Sequence, residues 1–156
     1  MPNQQPETTR TQELAWIAAY SYYAERLCYR YYTRLDKLIS FLLLLSGMAV
    51  VGELLPPVVL GLAVAVLTAW QLVYAPSVQA GKSRQAMQGY GDLLNRFSVL
   101  SEHEINQHIA ALSTGDSPVP RYFEHLAHNA ACKKLGVPQS VLPLNRREKL
   151  AAWFCG

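Results

Sequence analysis

Charge is what this sequence withholds. Between Leu38 and Gly81 the only formally charged residue is Glu53. Charged residues make up 16% of the chain, against roughly 25% in a typical soluble domain, and the deficit is confined to that stretch. Cysteine is also sparse. Cys28, Cys132 and Cys155 form no spaced framework, which excludes a disulfide-stapled scaffold and reads as free thiols in a reducing compartment. Cys155-Gly156 is not a prenylation box. The opening "MPNQQPETTR" lacks a hydrophobic core and a cleavage-site pattern, so residues 1–11 read as a short disordered leader and not a signal peptide. A net charge of +3 is too mild for a dedicated nucleic-acid binder. Catalytic signatures are missing as well. "GYGD" lacks the strand and the lysine of a phosphate loop, and neither G-x-S-x-G nor H-E-x-x-H occurs. The sequence gives no reason to expect an enzyme or a cofactor.

What is present is a long apolar run broken once. "LISFLLLLSGMAVVG" (38–52) and "VVLGLAVAVLTAWQLVYA" (58–75) carry no charge. A bilayer-spanning helix needs about 20 such residues and at least about 17, so the first run reaches that length only with Leu54 and Leu55 added. Pro56 and Pro57 rule out one continuous helix, because each lacks an amide donor and Pro57 drives Pro56 out of helical geometry. Proline is favoured in a first turn, so a helix ending near Leu55 and restarting at Pro57 makes a tight turn. The spacing thus predicts two transmembrane helices, about 38–55 and 57–75, with Glu53, Pro56 and Pro57 at a tip that reaches water. The competing reading is a buried hairpin in a soluble bundle. Soluble core helices are normally amphipathic, however, and these two segments are apolar all round. Arg26, Arg30, Arg34 and Lys37 precede the first run, Lys82 and Arg84 follow the second, and the tip has no Lys or Arg. The positive-inside rule then puts both termini in the cytoplasm, with Tyr29, Tyr31, Tyr32, Trp70 and Tyr74 as an aromatic belt.

The flanks read as helices. Ile17, Tyr20, Ala24, Leu27 and Tyr31 recur at spacings of 3 and 4 and predict an amphipathic helix from residue 12 into the first span. Tyr90, Leu93, Leu94, Phe97, Leu100, Ile105, Ile109 and Leu112 predict a second long helix after Pro76, a residue placed to kink the exit. "STGDSPVP" (113–120) reads as a loop in which Asp116 or Ser117 caps a short helix, 119–135. Asn145 would cap a last basic helix carrying Leu150, Trp153 and Phe154, which docks on the bundle or on the anionic leaflet. The expected fold is therefore an all-α membrane protein: a two-helix transmembrane hairpin, cytoplasmic extensions forming a bundle over 12–112, and short C-terminal helices over 113–156.

Three groups of residues are candidates for function. Gly61, Ala65 and Ala69 form a small-residue stripe suited to close helix packing, either within the hairpin or between subunits. Thr68 and Gln71 offer a polar path beside it. Arg26, Arg30 and Arg34, with Arg146, Arg147 and Lys149, offer contacts to lipid headgroups or to an anionic nucleotide. His125, His128 and Cys132 share a helical face, but no fourth ligand stands at a fixed spacing, so no metal site is expected. Glu102, His103 and Glu104 point in different directions on a helix and read as a solvated face.

The Tyr- and Arg-rich segment "AYSYYAERLCYRYYTRLDKL", the two-span hairpin and the long helix after it resemble the SLATT family of bacterial two-transmembrane proteins, over about residues 12–112 and the short helix beyond. The resemblance implies a homo-oligomeric effector that breaches the bacterial inner membrane in anti-phage defence. A nucleotide second messenger or a sensor protein would trigger it. The alternative expectation is a membrane-anchored adaptor that recruits a soluble partner and forms no pore.

Overall fold

The computed structural model describes residues 5–51, 56–137 and 140–156. Among these the chain is all-helical: α1 (Gln5–Val51), α2 (Pro57–Tyr74), α3 (Pro76–Arg96), α4 (Glu102–Ser113), α5 (Arg121–Lys134) and α6 (Arg146–Cys155). Glu53, expected at a hairpin tip, lies outside the described residues, whereas Pro56 and Pro57 form the N-cap and first residue of α2.

The first helix is the spine. Its 47 residues make a rod about 70 Å long at ~1.5 Å per residue. The helix is described from Gln5, so residues 5–11, expected to be disordered, are helical. Pro6 sits in the first turn, where a missing amide costs nothing, and no further proline or glycine interrupts until Gly47. The Thr11 hydroxyl donates to the Glu102 carboxylate and ties this end to α4.

The chain after the apolar region is divided more than its periodicity suggests. At Ala75 the backbone enters the left-handed region (φ 39°, ψ 58°), and α3 starts on Pro76. The cause is local, since a residue before proline is excluded from right-handed helical geometry. The long helix expected through Leu112 breaks at residues 97–101, and α4 restarts on a reciprocal cap. Ser101 Oγ accepts from the Glu104 amide, and the Glu104 carboxylate accepts from the Ser101 amide at 2.8 Å. This capping box holds the Glu104 carboxyl below its ordinary range. Glycine has a packing use at residue 89, because a Cβ there would lie 2.5 Å from Leu112 Cδ2. A larger residue there would displace the tip of the Leu112 side chain.

Two cores form on the N-terminal half of the spine. Leu14, Ala18, Leu93 and Ile105 join α1, α3 and α4. Cys28, Phe123 and Cys155 join α1, α5 and α6, with Tyr31 making edge contacts to Tyr32, Tyr122, Phe123 and Phe154. Tyr31 and Tyr32, expected in an aromatic belt, are half-buried against this core, while Trp70 stacks on Tyr74 at 4.8 Å. Ile17, expected on the buried stripe, is 38% exposed. The spine is packed on two sides, and its buried face centres on Leu14, Ala18, Ala24 and Cys28 instead. All three cysteines are buried and free, and burial pushes the Cys28 thiol up to about 12.

Candidate functional site

The apolar segments of α1 and α2 pack antiparallel. Gln71 Nε2 donates to Asp36 Oδ1 at 3.5 Å, and only five residues separate the other ends of the two helices. That register brings Leu67 level with Ile39, Val64 with Leu43 and Leu60 with Ser46. These residues are buried or half-buried, as are Trp70 and Gln71 at the far end of α2. The Ser46 hydroxyl is satisfied by the Leu42 carbonyl of its own helix.

The rest of both segments is open. Phe41, Leu44 and Met48 of α1 and Val58, Leu62, Leu72 and Val73 of α2 are each more than half exposed. Among the described residues, one helical stretch is long and apolar enough to cross a bilayer. It is α2 running on into α3, and only 6% of its most apolar window is buried. α2 alone has 18 residues, about 27 Å, close to the ~30 Å hydrocarbon core. The described apolar part of α1, residues 38–51, spans only about 21 Å.

The small-residue stripe does not serve the α1–α2 contact. Gly61, Ala65 and Ala69 are exposed, and a Cβ on Gly61 would meet nothing within 4 Å. Thr68 is exposed, while Gln71 is half-buried against Asp36, so the two do not line one path. No family model matches the chain, and neither a curated protein nor a solved structure does.

The two arginine sets separate by role. Arg30 Nη1 donates to the Cys155 carbonyl at 3.0 Å, and Arg34 donates to the carbonyls of Phe154 and of Gly156, the latter at 2.7 Å. Helix C-termini leave carbonyls unpaired and carry partial negative charge, so these two arginines clamp the end of α6. Arg26 is half-buried beside a cavity of about 410 Å³, with Tyr22, Tyr23 and Lys134 also on its wall. Arg146, Arg147 and Lys149 are exposed on α6, whose N-terminus is fixed by the Asn145 cap expected from sequence.

The histidines go separate ways. His125 Nδ1 pairs with Glu148 Oε1 at 2.9 Å, whereas His128 Nε2 meets the Ser140 carbonyl at 2.9 Å. Asp116 and Ser117 do not cap α5, whose N-cap is Pro120 with no side-chain bond. Ser117 is drawn inward instead, and Asp116 stays exposed beside it. The Tyr90 hydroxyl donates to Asp116 Oδ2 at 2.9 Å, and the Ser117 amide donates to Glu25 Oε1 at 2.6 Å. Ser83 and Ser117 hydroxyls meet at 2.7 Å beside them.

Sequence reasoning missed Glu25. This carboxylate is 1% exposed, and its Oε2 has no hydrogen-bond partner among the described residues. Burial raises its pKa, and the Ser117 amide and the two serine hydroxyls offset only part of that. Nothing in the local pattern marks it, because burial arises only when the 114–120 loop closes over α1.

Proposed function

We propose that the chain is a membrane effector. α1 and α2 cross the bacterial inner membrane as a hairpin with both termini cytoplasmic. Several copies associate and dissipate the membrane potential when the cytoplasmic bundle is triggered. The observation that carries this reading is the exposed apolar surface of α2 beside that of α1, joined to a bundle that buries its own core normally. A soluble fold does not leave an 18-residue apolar helix 6% buried in its most apolar window, and lipid is the solvent such a surface matches. Association is supported by the exposed Gly61, Ala65 and Ala69 stripe, since small residues let helices approach closely in lipid. One hairpin cannot enclose a channel, so a conducting state needs several. The resemblance to two-transmembrane defence proteins supports the same reading.

A potential-sensitive dye in cells expressing the chain is the test. Depolarisation by wild type, lost in Ala65→Leu at equal membrane abundance, supports the effector. An intact potential at every expression level, with its neighbouring genes present to supply the trigger, removes it and leaves the adaptor, which would hold a soluble partner at the membrane face.

A further inference from the structure

α6 and the spine enclose a second apolar surface. A groove of about 490 Å³ opens between them, with Leu35 and Leu38 of α1 on one wall, Leu150 and Trp153 of α6 on the other, Tyr122 at its floor and Arg147 at its rim. The inner face of α6 is fully used: Phe154 packs on the Cys28–Phe123 core and Glu148 pairs with His125. The outer face is not. Trp153 is 78% exposed and Leu150 is 65% exposed.

Charge on this helix is one-sided. Arg146, Arg147 and Lys149 are exposed, while its single acid, Glu148, is 4% exposed and turned inward. Lys37, also exposed, adjoins Leu38 on the opposite wall. An apolar slot thus carries one cation, Arg147, on its lining, with further exposed cations next to its lining residues in sequence and no exposed acid on α6 to balance them. The slot also sits where the uncharged part of α1 begins: Leu38 leads directly into exposed Phe41 and Leu42. The Arg30 and Arg34 clamp holds α6 there.

We infer that this groove binds an anionic membrane phospholipid, with the glycerol end of an acyl chain between Leu38 and Trp153 and the phosphate at Arg147. The inference rests on the membrane reading above and names a lipid class that it does not. Tryptophan favours this depth because its ring is apolar and its N–H seeks a polar partner. A two-fold contact with a second copy fits less well, since it would set the same cations against each other.

Tryptophan quenching in the full chain tests it. Trp16→Phe with Trp70→Phe leaves Trp153 as the reporter, and Trp16→Phe with Trp153→Phe leaves Trp70. Each is reconstituted in phosphatidylcholine vesicles containing a minor fraction of phosphatidylglycerol or phosphatidylcholine brominated near the glycerol end. Trp153 should favour the anionic lipid about fivefold, the factor for one basic contact of about 1 kcal/mol. Arg147→Gln should bring the preference to about one. Equal quenching by both lipids overturns headgroup selection. A Trp153 shielded from lipid and from acrylamide places protein in the groove and overturns the inference, while quenching of Trp70 keeps the membrane reading. If neither tryptophan meets bromine, both fail.

Discussion

Glu25 carries a cost that its neighbours only partly relieve. One carboxylate oxygen accepts the Ser117 amide, and the other is buried without a partner among the described residues. Burial raises the folded pKa above the unfolded value, so the folded chain holds the proton more tightly. Below the ordinary carboxylate range both states are protonated and no penalty exists. Stability then falls as pH rises through the window between the ordinary and the raised value. Glu25→Gln keeps an acceptor for Ser117 and cannot ionise. Its thermal midpoint should equal or exceed wild type at pH 8 and lose the wild-type decline across that window. Glu25→Ala instead strands the Ser117 amide and should cost about 1–3 kcal/mol at any pH. A parallel pH profile for wild type and Glu25→Gln would show that the carboxyl does not titrate in the fold.

At the scale of elements, the C-terminal helix is the most dependent part. α6 has only 10 residues, short of the roughly 12–15 at which an isolated helix becomes even marginal in water. It is held by the Asn145 cap, the Phe154 and Cys155 packing, and the Arg30 and Arg34 clamp. Hydrogen bonds to charged donors contribute about 1.5–3 kcal/mol each. Arg30→Ala with Arg34→Ala should release α6 locally. Its amides should exchange at least tenfold faster, with α3 and α4 unaffected. Unchanged exchange would mean that the aromatic contacts of Tyr31 and Phe154 suffice.

The whole molecule divides at Leu38 and Ala75 into a bundle with a buried core and a helix pair that displays most of its apolar groups. If lipid covers that pair, the connection between the helices lies on the far side. In a background with Cys28, Cys132 and Cys155 replaced by alanine, a membrane-impermeant thiol probe should label Glu53→Cys from outside intact cells. Lys82→Cys should label only after the membrane is opened. Labelling of Lys82→Cys alone in intact cells would reverse the topology, and labelling of neither, with the chain in the soluble fraction, would end it.

Several features were legible without coordinates because they depend on neighbours along the chain. Pro57 as a helix start, the chain break at Pro76, the Asn145 cap and the helical period of the flanks are local steric and hydrogen-bonding facts. So is the apolar character of 58–75, since a run of uncharged residues needs no partner to be recognised. Tertiary structure decided which face of each helix is used. Only the register set by Gln71 and Asp36 turns Leu60 and Val64 inward and leaves Gly61, Ala65 and Ala69 outside. Arg30 and Arg34 looked like ligand or lipid contacts until the end of α6 was placed against them. Glu25 carries no local mark and is buried only because the 114–120 loop closes over it. In each case the deciding contact joins residues 35 to 125 positions apart, and periodicity holds no information at that distance.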